Sequence, residues 1–290
     1  MEKMFRKANI AGALALAGMA VMPAHASLVL DDWTLDLTGF GGDRYELVDA
    51  LGFTDAPFNA TLIDANGNGQ VDVGEQYQIQ GKGSITTISN DDLGTVGLIG
   101  VEQELTFVFD LTVTVDNVFG PGVFTWRHDF GANALKIYAQ DLTGAADPSK
   151  ANPGTGSGYN DGTLIAEFDV LAGDGGSANT AGTLDGSDDA TFALSVLHVP
   201  GVFLQPTGED LKVGSSMAIS DSNFDLDSDN DGILNFTGGG FGCTAGNQSV
   251  TFFCGQEDGT IRLVPEPSVL ALAGMGLFGL GFAARCRRKG

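Results

Sequence analysis

Two segments of this chain place oxygen-bearing side chains at alternate positions ahead of a glycine, the spacing that wraps one hard cation. In the first, Asp64, Asn66 and Asn68 precede Gly69, and Asp72 and Glu75 follow. Counted from Asp64 as a twelve-residue loop, oxygen ligands fall at positions 1, 3, 5 and 9, glycine at 6, an aliphatic residue at 8 and glutamate at 12. Calcium needs this spacing because alternate side chains converge on one point, the glycine permits a sharp turn, and the last carboxylate binds with both oxygens. The second segment runs from Asp225 through Asp227, Asp229 and Asp231 to Asn235, with four carboxylates in seven residues. Such crowding costs repulsion unless a cation neutralises it. The plainer alternatives are an Asn-Gly hairpin turn for the first segment and a solvated acidic turn for the second. Calcium is the cofactor that both segments predict.

The first segment resembles an EF-hand loop, and the second, taken from Asp227, is similar to the calcium loops of thrombospondin type 3 repeats and dockerins. The second lacks the final glutamate, its twelfth position being Gly238, so Asp225 or a remote ligand must complete the shell. The flanks of the first depart from a helix–loop–helix: Ala60-Thr61-Leu62-Ile63 and Tyr77-Gln78-Ile79-Gln80 read as strands. The elements that must position these loops are therefore β-strands.

The rest of the body agrees. Residues 84–89, 104–115, 164–171, 191–199 and 248–253 are short runs rich in Val, Ile, Thr and Phe. From Leu105 to Val115 every odd position is apolar, with Val108 as one extra, which is the period of a strand with one buried face. Turns rich in Gly and Asp separate the runs, as at Asp91-Asp92-Leu93-Gly94 and Gly173-Asp174-Gly175-Gly176. Residues 132–140 are the one place where a short turn fits, and no helical stripe is present. The 43 glycines and many short strands predict an all-β fold, a sandwich or jelly roll with long Gly/Asp-rich loops. Residues 141–189 read as long surface loops around a single strand, or as a linker between two β domains.

Catalytic chemistry finds little footing. His128 and His198 are the histidines of the body, and no nucleophile elbow, His-Glu-x-x-His helix or phosphate loop is present. Two carboxylates of a glycosidase could still hide among so many acids. Trp126-Arg127-His128-Asp129 reads as strand. Trp33 and Trp126 are open to stacking on sugar rings or to core packing.

The chain begins with Lys3, Arg6 and Lys7, an apolar stretch from Ala8 to Met22, and Pro23-Ala24-His25-Ala26, the three regions of a secretory signal peptide. Signal peptidase is expected to cut between Ala26 and Ser27. At the other end Pro265-Glu266-Pro267 precede an uncharged apolar run over 268–284 and then Arg285, Arg287, Arg288 and Lys289. Such a run reaches the length of about 17–25 residues that spans a bilayer as one helix. The basic residues behind it stay cytoplasmic under the positive-inside rule, leaving the body outside. The predicted division is 1–26 leader, 27–263 exported β domain and 264–290 sorting segment. Setting aside the leader and the residues after Pro267 leaves seven basic against 36 acidic residues, near −29 compared with −23 for the whole chain. That charge argues against nucleic acid and anionic surfaces as partners. Cys243 and Cys254 are the two cysteines of the body, and an oxidising exterior predicts a disulfide between them.

The motif, apolar run and basic stop resemble the PEP-CTERM sorting signal of Gram-negative bacteria. The resemblance implies an exosortase that cuts at or near Pro265-Glu266-Pro267 and releases or transfers the protein to the cell exterior, the precursor being held only transiently in the inner membrane. A plain C-terminal anchor is the alternative. Proteins with this tail accompany exopolysaccharide production, and the β-rich, Gly/Asp-rich body is similar to flocculation-associated members. The resemblance thus implies a non-enzymatic protein of the cell surface or extracellular matrix with extracellular polysaccharide as partner, and its part in biofilm or floc formation. A carbohydrate-binding module and a secreted hydrolase are the competing classes.

Overall fold

The computed structural model describes residues 31–100, 102–143, 150–227, 234–244 and 246–264. The leader with Ala26 and Ser27, the loop carboxylates Asp229 and Asp231, and Pro265, Glu266 and Pro267 with the apolar run lie outside the described residues.

The period-two alternation read at 105–115 belongs to the longest of fourteen strands among the described residues. In chain order these are β1 (Trp33–Asp36), β2 (Arg44–Val48), β3 (Ala50–Ile63), β4 (Gln76–Asn90), β5 (Gly94–Leu98), β6 (Gln103–Gly120) and β7 (Val123–His128). They continue with β8 (Gly131–Asp141), β9 (Thr163–Val170), β10 (Gly175–Asn179), β11 (Asp185–Leu197), β12 (Phe203–Leu204), β13 (Ser216–Asp225) and β14 (Phe252–Val264). Strand β6 pairs with β8 along its first half and with β7 along its second, so β7 and β8 act as one interrupted strand. The pair β9 and β10 does the same against them, and β11 pairs with both. Strands β13 and β14 follow, and β14 pairs with β3. With β3–β4 and β4–β6 pairing, the large sheet closes on itself, every neighbour antiparallel. The result is an up-and-down β-barrel of eight strand lines, in which closure removes the free edges that invite aggregation. The expected all-β class holds, and the facing layers are opposite walls of one closed sheet. Strands β12, β1 and β2 form a small separate sheet.

Alternation decides what fills the barrel. On β4, Tyr77, Ile79 and Ile85 are buried, while Gln78, Gln80 and Lys82 face outward, and Gln78 and Gln80 donate to Asp110 of β6. Apolar-in, polar-out is the reverse of the pattern of a barrel that faces lipid. Inside, Phe53 meets Phe107 edge-on at 5.1 Å and Tyr77 stacks on Phe124 at 5.2 Å. Gly81 and Gly83 lie opposite Phe109 and Phe107 across β4–β6, and a Cβ at either would run into the ring. The glycines are space for aromatic side chains.

Several local readings are corrected. Residues 132–140 lie in β8, without a helical turn. The stretch 141–189 holds β9, β10 and the start of β11 in place of a single strand among loops. Gly175 and Gly176, read as a turn, belong to β10, where a Cβ would strike the backbone oxygens of Trp126 and Ser187 on the flanking strands. The final strand begins at Phe252 rather than near Gln248.

Following each strand gives the barrel two distinct ends. One carries the connections β3–β4, β6–β7, β10–β11 and β13–β14, so the first oxygen-rich segment lies there and the second departs from there at Asp225. The other carries the small sheet, the start of β3 and the end of β14 at Val264.

Candidate functional site at one end of the barrel

Twelve residues join β3 to β4, and they bring Asp64, Asn66, Asn68, Asp72 and Glu75 into one network. Asp64 accepts from the backbone N–H of Gly67 at 2.6 Å and of Gly69 at 2.7 Å. Those bonds, Gly69 first, hold its carboxyl below the usual range and therefore ionised. Gly69 has φ +71°, a conformation glycine adopts without the cost a side chain brings, and it tightens the turn at the sixth position. Glu75 is 5% exposed, and its two oxygens accept from Asn66 Nδ2 and the backbone N–H of Asp72. Asp72 Oδ2 accepts from Asn66 Nδ2 at 2.8 Å and Asn68 Nδ2 at 2.7 Å.

The two amide NH2 groups therefore occupy the electropositive centre that Asp72 and Glu75 face. Their carbonyl oxygens accept from the N–H of Asn68 and Gln70. A half-turn of each amide would exchange donor for acceptor and point oxygen inward, giving side-chain oxygens at each expected position. The residue types are those that hold calcium, and turning the amides would give up the bonds from Asn68 and Gln70 N–H. The loop is tied to the barrel by Gly74 N–H to Val115 O and Val115 N–H to Glu75 O.

The second segment leaves the end of β13. Asp225 Oδ1 accepts from Asp227 N–H at 2.9 Å, Asp227 is buried, and Asn235 is partly buried. Asp225 stands directly opposite Asp185 across β11–β13, and like charges so placed repel. Further along, Cys243 of this connection and Cys254 of β14 are joined in a disulfide, Cα–Cα 6.4 Å, covered by Phe236, Phe241 and Phe252.

Trp33 and Trp126 are buried among Phe203, Phe124 and Phe224, so neither presents a face to a sugar. This corrects the stacking role open to them in the sequence. Two groupings escaped the sequence. At the Val264 end, carboxylate oxygens of Asp31, Asp49 and Asp91 lie within 4.8 Å of one another. Asp49 accepts from the N–H of Asp32 and Asp91, and Arg262 pairs with Asp91. Burial, then the charges of Asp49 and Asp91, raise Asp31, while Arg262 lowers Asp91. Inside the barrel, His128, Asp188 and Glu257 form a polar island beside a cavity of ≈ 30 Å³, room for about one water. Alternation in phase with Phe124 and Trp126 was the signal that could have placed His128 inside.

Residues 263–289 match the family model described as the PEP-CTERM protein-sorting motif. No curated protein matches the chain, and no solved structure does.

Proposed function

From the premise that this chain is an exosortase-targeted exported protein carrying the PEP-CTERM sorting motif, we propose that it is a non-enzymatic protein of the cell surface or extracellular matrix. It is stabilised by calcium and serves retention of exopolysaccharide in biofilm or floc. The observation that carries this reading is placement. The sorting motif follows from one end of the barrel, while the first oxygen-rich loop, the start of the second at Asp225 and the disulfide lie at the other. An anchored or transferred precursor thus holds its calcium loops away from the attachment point, toward the matrix. An acidic body with polar outward faces suits a hydrated, cation-bridged polymer network.

Deleting the gene and scoring cell aggregation and polysaccharide retention tests the role. Complementation with the intact chain should restore both, and complementation with Glu75→Gln should restore them only at raised calcium. Unchanged aggregation and retention after deletion would end this reading.

A further inference from the structure

The sorting match begins at Leu263, inside the strand that closes the barrel. Arg262 is paired on both sides, with Ala218 of β13 and Ala50 of β3. Leu263 pairs with Met217 and Val264 with Ser216, and Leu263 is 2% exposed. Pro265 is the very next residue, so no spacer separates the paired strand from the motif. Enzymes that cut or transfer peptides take the chain extended, in subsites on both sides of the scissile bond. A strand whose backbone is already paired and whose side chain is buried cannot enter such subsites.

We propose that the folded barrel withholds the upstream flank of its own sorting motif, so that processing requires the last residues of β14 to peel from β13. This rests on the exosortase reading above and adds a control to it. Folding and processing compete for Leu263 and Val264, whose peeling leaves the doubly paired part of β14 up to Arg262 in place. The processing step breaks one peptide bond at or near the motif. Its acyl carbon passes to water or another nucleophile, and the departing amine takes up the proton. Exposing one buried leucine lowers the population of the peeled state about tenfold or more.

The test follows the full chain in cells that contain the sorting enzyme, by pulse labelling and mass measurement of the shortened product. Inserting Gly-Ser-Gly-Ser followed by a second Arg-Leu-Val after Val264 keeps the native flank beside Pro265 but frees it from the barrel. Urea unfolding of the purified exported domain checks that the barrel is unchanged. Shortening about tenfold faster than in the parent chain is the expected result. Equal or slower shortening, with processing still occurring, would overturn the proposal alone. If neither chain is ever shortened, the exosortase reading fails and the proposal falls with it.

Discussion

His128 Nε2 lies 3.0 Å from Asp188 Oδ1, joining β7 to β11 across β10 inside the barrel. Trp126 Nε1 donates to the same oxygen at 3.1 Å, and Ser222 Oγ donates to Glu257 on the neighbouring wall. His128 is wholly buried, with no partner for Nδ1. Burial pulls its pKa down, but Asp188, by charge and hydrogen bond, with Asp174 and Glu257, outweighs that and leaves it raised. Burial first, then Asp188, pushes Glu257 up to about 8, with Asp258 adding to the rise and Ser222 and His128 opposing it.

Both shifts have the same sign, so the native barrel holds protons more tightly than the unfolded chain. Their stabilisation is complete below the unfolded pKa values and is lost as pH rises through the native ones. Chemical unfolding between pH 5 and 9 should show stability falling toward alkaline pH, most steeply between about pH 5 and 8. One proton contributes up to about 1.4 kcal/mol per pH unit. Glu257→Gln removes one such proton and should flatten the slope by about that amount. Identical slopes for the two proteins would contradict the assignment. Asp36, lowered first by the Thr38 hydroxyl, and Asp91, lowered first by its Arg262 hydrogen bond, act oppositely and only at lower pH.

Reduction of Cys243–Cys254 should lower the thermal midpoint of the purified exported domain. In the chain-entropy model a loop with sequence separation 11 is worth about 2–3 kcal/mol. For a domain of this size that corresponds to a fall of about 5–10 °C. Thiol titration under denaturing conditions should find none before reduction and two after. Two alkylatable thiols in the native secreted protein would refute the pairing.

Gly81→Ala should destabilise the barrel by about 1–3 kcal/mol, because the new Cβ enters the ring of Phe109 and the packed core must shift. Gly246→Ala, where a Cβ meets nothing within 4 Å, serves as the comparison and should stay within about 0.5 kcal/mol. Equal midpoints for the two variants in urea would show that Gly81 is not making room for Phe109.

Local chemistry was legible in the sequence and closure was not. The odd-position apolar run at Leu105–Val115 and the strands flanking Asp64–Glu75 follow from alternation, which neighbouring residues record. The β14–β3 seam pairs Arg262 with Ala50, positions so far apart that no local pattern marks their meeting. β10 was missed because Gly175 and Gly176 carry turn chemistry, yet their lack of side chains is what lets β7 and β11 approach on either side. Asp188 sits in an acidic, Gly-containing run that reads as surface loop. Its strand phase, shared with buried Ala190 and Phe192, turns it inward. The oxygen-bearing side chains that meet in the first loop were identifiable because their spacing is itself the signal.

Calcium titration of the purified exported domain by calorimetry, with thermal unfolding at each ion concentration, tests the central claim most directly. Binding to the native state alone adds about 2.7 kcal/mol per site at a hundredfold excess over Kd. The midpoint should rise with millimolar calcium, fall with chelator and respond poorly to magnesium, which demands near-ideal octahedral geometry and gives up its water reluctantly. Glu75→Gln should weaken the site at Asp64–Glu75, and Asp227→Asn with Asp229→Asn the site at Asp225–Asn235. No heat of binding and no shift in midpoint up to several millimolar calcium would leave both loops as ordinary acidic turns and contradict the account.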